Sequence, residues 1–214
     1  MTATLERSLR LLTVLADDRQ GLSVSDLAAR LSVSRPAVYR MVATLQAHGM
    51  VSRSPSDGLV RLGLGVLALA RGVTPVLHDV AVPHLRRLAD EMGATAHLTV
   101  AELGPGSESA VAVAVVEPAH SDMHVAYRVG SRHPLDRGAA GRAILSGRLG
   151  DAGFVVTEGE LQPGAVGIAA PVVGVAGLEA SVGVVTIGPS LHPALAGPRV
   201  VATAAAIAAA LALG

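Results

Sequence analysis

Arg35, Tyr39 and Arg40 share one stretch, Ser34–His48, with the apolar residues Val38, Met41, Val42 and Leu45. A guanidinium can bridge the O6 and N7 edge of guanine, and a phenol or a small side chain can touch a thymine methyl. Three serines stand nearby, Ser23, Ser25 and Ser34, whose hydroxyls can hold phosphate oxygens. Arg53 and Arg61 follow, each inside a short extended run, where a guanidinium suits phosphate or minor-groove contact. Together with Pro36, these residues are candidates for contact with a nucleic-acid duplex.

Contact of that kind requires the charged side chains to share one face, and the apolar spacing supplies it. Val38, Met41, Val42 and Leu45 repeat at i, i+3, i+4 and i+7, so they line one side of a helix and leave Pro36, Tyr39, Arg40 and Ala43 on the other. Arg35 borders that outward stripe. Ser34 is expected to cap the helix, Pro36 is tolerated in its first turn, and Gly49 is placed as the residue that stops it. Upstream, Ser23 reads as an N-cap with Asp26 at N3, and Val24, Leu27, Ala28 and Leu31 give a second amphipathic helix. A first helix, Leu5 to Ala16, is predicted from the spacing of Leu5, Leu9, Leu12 and Ala16. Met50–Arg53 and Leu59–Leu62 flank Ser-Pro-Ser-Asp-Gly, which predicts a hairpin. The order helix, helix, turn, helix, hairpin is that of a winged helix-turn-helix.

The charge supports two domains. The chain has no net formal charge, yet residues 1–72 carry nine Arg against five acidic residues and residues 73–214 carry eight against twelve. A basic front half fits a polyanionic partner. Lys is absent throughout, a bias of composition rather than of one site. Half of the 214 residues are hydrophobic, with one Phe, two Tyr and no Trp, so the core must be built from Ala, Val, Leu and Ile. The absence of Cys excludes disulfides, thiolate catalysis and Cys-based zinc sites. Glu6, Arg7 and Arg10 interrupt any signal-peptide apolar region, and the run Val200–Leu213 is too short for a bilayer span, so a cytoplasmic protein with no membrane partner is expected.

Beyond Leu64, the chain reads as α+β. A linker helix covers Leu64–Arg71, and a longer helix runs from Thr74-Pro75 to Met92. Strands are expected at Thr95–Leu103, Ala110–Glu117, His124–Val129, Ala165–Val173 and Ala180–Ile187. A short helix is expected at Gly138–Leu145, and a terminal one opens at Gly197-Pro198. The domain boundaries expected are 1–63 for the winged helix, 64–74 for the linker helix and 75–214 for the second domain. His120, Asp122 and His124 have the spacing for three ligands on one strand face, but Pro118 and the polar cluster read more simply as a hairpin turn, so no metal site is assigned. No nucleophile elbow, phosphate-cradling loop or carboxylate pair assembles, so the expectation is a non-enzyme without a cofactor. His133, beside Pro134, could line the mouth of a pocket or stand on the surface, and the surface reading is preferred.

The stretch from Leu5 to Ala70 resembles the N-terminal domain of the IclR family of bacterial transcription regulators. The likeness continues through VGSRHPLDRGAAGRAIL (Val129–Leu145), EGELQPGAVGIAAPV (Glu158–Val172) and VGVVTIGPS (Val182–Ser190). The resemblance implies a winged helix-turn-helix joined to a GAF-like effector domain, an antiparallel sheet flanked by helices. It implies a transcriptional repressor that binds a double-stranded DNA operator as a homodimer or dimer of dimers, under control of a small organic acid or aromatic metabolite. It also implies an effector pocket at Ala139, Ala140, Glu160, Pro171, Val185 and Ile187, with a ligand carboxylate at the backbone N–H groups of Ala139 and Ala140. Two features depart from the family pattern. Only Ser146–Thr157 separate the short helix from the acidic turn, where the family has several dozen residues. Arg142 stands where Lys is usual. A ligand-independent regulator whose shortened second domain serves only assembly, and a winged helix that contacts protein, are the alternatives.

Overall fold

The computed structural model describes residues 3–18, 20–70, 75–104, 107–119, 127–187 and 191–212. The chain divides into two compact units, 1–74 and 75–214.

In the first unit, α1 (Ala3–Ala16), α2 (Val24–Leu31) and α3 (Arg35–Ala47) precede a hairpin of β1 (Val51–Arg53) and β2 (Val60–Leu62). An antiparallel bridge, Leu22 to Val60, adds a third partner to the hairpin. Leu27, Val38 and Val60 are fully buried at the centre, with Leu31, Met41, Val42 and Val51 around them. The face of α1 differs from the expectation. Leu11 and Leu15 enter the core, whereas Leu5 and Leu9 stand more than half exposed. The helix carries two apolar stripes, and this unit covers only one of them. A further short helix, α4 (Gly65–Ala70), buries no residue.

α2 begins as the sequence predicts, with Ser23 Oγ accepting the Asp26 N–H at 3.1 Å. It ends on Ser32, held in the left-handed conformation at φ 53° and ψ 48°. α3 stops at Gly49, φ +69°, and the Met50 N–H returns to the Leu45 carbonyl at 2.8 Å. Ser34 has the extended backbone of an N-cap, but its hydroxyl makes no capping bond. The Ala37 and Val38 N–H groups go to the Ser34 carbonyl instead, and Pro36 has no N–H to cap.

The second unit opens with α5 (Pro75–Met92) and builds one six-stranded antiparallel sheet. Its strands are β3 (Thr95–Gly104), β4 (Ser107–Val116), β5 (Arg132–Pro134), β6 (Val155–Glu158), β7 (Ala165–Val172) and β8 (Ala180–Ile187), in the order β5-β4-β3-β8-β7-β6. α6 (Gly138–Arg148) and α7 (Pro193–Ala212) complete it. β5 and β6, three and four residues long, were not expected from the sequence. The expected strand His124–Val129 and the turn at His120–His124 fall largely outside the described residues, and Tyr127–Val129 are not in a strand.

Strand alternation separates the two faces of this sheet. Ala96, Leu98, Ile168, Ala170, Val182 and Val184 turn toward α5 and α7, and form the main core with Leu85, Leu88, Val200 and Ile207. The opposite face carries Thr95, His97, Thr99, Gly167, Ala169, Ser181 and Gly183, and is covered by α6. Ala139 and Ala143 of α6 pack on Ala169, and Ser181 Oγ donates to the Ala140 carbonyl at 2.9 Å. With 20 residues, α7 is long and apolar enough to cross a membrane by length and composition, and longer than the apolar run read from the sequence. Val200 and Ile207 are fully buried on the sheet, as in a core helix.

Candidate nucleic-acid interface and ligand cavity

The face that α3 turns away from its core carries Arg35, Pro36, Tyr39, Arg40 and Ala43, all exposed. The buried stripe Val38, Met41 and Val42 fixes that orientation. Arg35 and Arg40 have no ion-pair partner among the described residues, so two positive charges stand free on one helix face. The hairpin adds a third guanidinium. Arg53 lies over the Tyr39 ring, 5.4 Å from its centroid, and its Nε donates to the Gly58 carbonyl at 3.2 Å. A contact of that geometry adds cation–π attraction to packing, so the wing and α3 hold each other's polar groups in place.

Arg61 is placed differently. Its NH2 group meets Asp57 Oδ2 at 2.9 Å, and Asp57 also accepts the Leu59 N–H at 2.9 Å. The Arg61 guanidinium, then the Leu59 N–H and the Ser54 hydroxyl, hold the Asp57 carboxyl well below the usual range. Arg61 is thus locally neutralised. Ser25 and Ser34 are exposed, whereas the Ser23 hydroxyl is engaged with Asp26, donating to Oδ2 at 2.6 Å.

The second unit encloses a cavity of about 80 Å³ between the start of α6 and the α6 side of the sheet. Ala139, Ala140, Glu160 and Val185 line it, as expected. Pro171 does not. It lies further along β7, against Gly147 of α6, and lines a separate depression with Ile144 and Arg148. Ile187, at the end of β8 opposite Ala165, is also outside the lining. The cavity has polar members that sequence reasoning passed over, His97, Tyr127 and Thr157, and one for which it preferred a surface position, His133. His133 is buried, not on the surface, because β5 pairs with β4 and sets His133 opposite Ala110.

These groups form a chain of contacts. His97 Nδ1 lies 3.1 Å from Thr99 Oγ1, which lies 3.4 Å from the Tyr127 hydroxyl; that hydroxyl is 3.4 Å from His133 Nε2, and His133 Nδ1 is 3.1 Å from the Pro134 carbonyl. The His97 and Tyr127 rings also meet edge-on at 4.9 Å. Burial, with His133 nearby, pushes the His97 imidazole down to about 3, so it is neutral at ordinary pH. Burial pushes the Tyr127 phenol up, opposed by the Thr99 bond. At the other end of the cavity, Glu160 Oε2 accepts the Gly138 N–H at 2.8 Å and Oε1 pairs with Arg142 at 3.0 Å. Arg137 donates to the Glu160 carbonyl. Among the described residues no group of three or more His, Asp or Glu side chains is arranged to hold a metal ion.

Comparison with known proteins now bears on both sites. Residues 4–55 match the model of the IclR helix-turn-helix domain, and residues 74–150 match that of the bacterial transcriptional regulator IclR C-terminal domain. The chain belongs to the IclR family of transcriptional regulators. The Glycerol operon regulatory protein of Streptomyces griseus is 30% identical over 145 residues, 66% of this chain and 54% of that protein. XynR of Escherichia coli is 25% identical over 146 residues, 67% of this chain and 56% of its own. The chain thus spans about half the length of the curated relatives it matches. A putative transcriptional regulator, RHA06195, from Rhodococcus sp. RHA1 superposes with a TM-score of 0.75 at 25% identity, covering 100% and 99% of the two chains. An IclR homolog from Microbacterium hydrocarbonoxydans, solved with 4-hydroxybenzoate, does so at 0.81 and 20%, covering 99% and 100%.

The IclR-type fold therefore extends along this chain, although the second family model stops at residue 150. Its missed cavity residues left one signal in the sequence. Thr95, His97 and Thr99 alternate with Ala96, Leu98 and Val100, which places three polar side chains on one strand face. All three are buried.

Proposed function

We propose that this chain is a repressor that binds a double-stranded DNA operator through α3 and is controlled by a small organic-acid or aromatic metabolite in the cavity of its second unit. The observation that carries the first half is the free pair Arg35 and Arg40 on a helix whose other face is locked into a core. Exposed guanidiniums of known orientation, with Tyr39 steadied by Arg53, suit the major groove. The cavity supports the second half, and a structural neighbour was solved in complex with 4-hydroxybenzoate. A curated relative is named Transcriptional repressor IclR. The protein acts in the cytoplasm, without catalysis.

An operator read by such a helix has two half-sites, so the functional species is a homodimer or a dimer of dimers. Leu5 and Leu9 of α1, with Leu64, Leu67 and Leu69 at α4, are exposed apolar residues suited to that contact. Effector binding acts by favouring one spacing of the paired recognition helices over another.

Gel-shift titration of the chain's own upstream region tests the DNA reading. Arg40→Ala is expected to weaken operator binding by about 10–100-fold and to relax base preference at one position. Arg61→Ala, whose charge is already shared with Asp57, is expected to weaken operator and unrelated duplex alike, by only a few fold or so. Unchanged operator affinity in Arg40→Ala removes α3 as the reading helix.

A further inference from the structure

Two polar side chains in the cavity end without a partner. His97 and Thr157 are 4% and 8% exposed and both line it. Among the described residues, neither His97 Nε2 nor Thr157 Oγ1 has a hydrogen-bond partner. No fully occluded side-chain nitrogen or oxygen is left unpaired, so both atoms open onto the cavity. A polar atom that is open on a cavity wall and makes no bond within the protein is free to pair with a complementary ligand group.

The contacts behind His97 settle what kind of partner it needs. The Pro134 carbonyl can only accept, so His133 Nδ1 carries the proton. In the tautomer with the proton on Nδ1, His133 Nε2 is an acceptor and the Tyr127 hydroxyl donates to it. Thr99 then donates to Tyr127, and His97 Nδ1–H donates to Thr99. One proton on each link leaves His97 Nε2 bare. It faces the cavity as an acceptor, and its complement is a hydroxyl or an N–H.

The opposite wall carries its own anion. The start of α6 would attract a carboxylate, because the first N–H groups of a helix have no internal partner and the helix dipole is positive there. In this chain the Glu160 carboxylate already stands at that place, on the Gly138 N–H and on Arg142. A ligand carboxylate arriving there meets a like charge and finds the Gly138 N–H and Arg142 already engaged. The remaining lining, Ala139, Ala140, Leu161, Ala165, Gly167 and Val185, is apolar or small.

We infer that Glu160 is a built-in occupant of the anion position, and that the cavity selects a small uncharged molecule with a hydroxyl group on an apolar body over a carboxylate, the hydroxyl donating to His97 Nε2. This rests on reading the cavity as the ligand site. It narrows the ligand from organic acid or aromatic to an alcohol or phenol. It also gives Arg142 a role, since Arg142 holds Glu160 in place rather than serving the ligand.

Benzyl alcohol and benzoate, matched in size and differing in charge, are the probes. Calorimetric titration of the full chain is expected to give benzyl alcohol at least a tenfold lower Kd than benzoate. Glu160→Ala frees the Gly138 N–H and Arg142, and is expected to raise benzoate affinity at least tenfold. Glu160→Gln keeps the side-chain volume, removes the charge, and is expected to move benzoate the same way where the alanine variant does not fold. Benzoate binding the unaltered chain as tightly as benzyl alcohol overturns the charge selection while leaving the cavity as a ligand site, and so does an unchanged ratio in Glu160→Gln. Failure of both compounds to bind any of these proteins overturns the ligand site itself, and the selection with it.

Discussion

The two units handle polar chemistry in opposite ways. Among the described residues of 1–74 the buried side chains are apolar, and Arg35 and Arg40 stand without an ion pair on the outside of α3. In residues 75–214 lie all the buried polar side chains among the described residues: Thr95, His97, Thr99, His133, Thr157, Ser181 and Thr203. A duplex is a large, hydrated polyanion, and it is met by charge left in water. A small molecule is recognised by surrounding it, which demands polar groups inside a fold and hydrogen bonds to orient them. Under the proposed function, the difference in burial matches a difference in the size of what each unit would bind.

Acid offers the largest test of this contrast. His97 titrates near 3 in the fold, against about 6.5 for an unperturbed histidine. The unfolded chain then takes up a proton that the folded one refuses. The His97 contribution to the stability of the second unit is fully present above about pH 6.5, falls as pH drops below it, and levels off below about 3. The loss is about 3 kcal/mol by pH 4.5 by linkage. Over the same range the described residues of the first unit include no buried titratable group. Hydrogen exchange, which resolves the strands of one unit from the helices of the other, is expected to show weakened protection in β3, β7 and β8 at pH 4.5 and little change in α2 and α3. Equal loss in both units breaks the contrast. His97→Asn is expected to flatten the slope.

Two glycines sharpen it at a smaller scale. A methyl added at Gly183 would stand 2.7 Å from His97 Cε1 and 2.8 Å from the Ile168 carbonyl oxygen. Gly183 faces His97 across β3 and β8, so its missing side chain is the space the imidazole occupies. Gly183→Ala is expected to cost about 1–3 kcal/mol through overpacking, and to displace the ring whose nitrogen faces the cavity. At Gly63 the added methyl would lie 2.1 Å from the Gly49 carbonyl oxygen, where the hairpin closes on the end of α3. Gly63→Ala is expected to cost a similar amount, to weaken DNA binding, and to leave ligand binding intact. Thermal melts with ligand titration and gel shift on both variants check this. A Gly183→Ala protein that still binds ligand normally separates His97 from the site.

The same contrast explains what could be read in the sequence. The reading face of α3 is local: Val38, Met41 and Val42 lie within one helix, and their spacing alone turns Arg35, Tyr39 and Arg40 outward. The hairpin was legible from Asp57-Gly58, a turn signal inside five residues. The face of α1 was not, because Leu5, Leu9 and Leu12 repeat as regularly as Leu11 and Leu15, and periodicity does not say which stripe is covered. The cavity draws on β3, Tyr127, β5, α6, β6, β7 and β8, segments up to 88 residues apart between His97 and Val185. Ala139, Ala140, Glu160 and Val185 came from resemblance to a family. His97, Tyr127, His133 and Thr157 required the pairing of strands, two of which were too short for the sequence to announce.

The smallest expected effect concerns backbone rather than side chains. Ser32 is the only non-glycine among the described residues with positive φ, and it sits at the turn between α2 and α3. An L-residue is strained there by the approach of Cβ to the backbone, whereas glycine is not. In the second unit every described residue with positive φ is already glycine, at Gly138 and Gly164 among others. Ser32→Gly is expected to stabilise the first unit by about 0.5–1 kcal/mol, less whatever entropy glycine adds to the unfolded chain. A melting shift of a few degrees, confined to α1–α3 by hydrogen exchange, is the signature. The Ser32 N–H bonds to Ala29 at 3.2 Å and the Val33 N–H to Ala28 at 3.0 Å, so the turn keeps its geometry without the side chain. Operator affinity should then stay within about twofold, because α3 keeps its orientation. A more stable variant that binds DNA several-fold worse would mean that the serine hydroxyl itself touches the duplex, adding Ser32 to the proposed phosphate-contact candidates Ser23, Ser25 and Ser34.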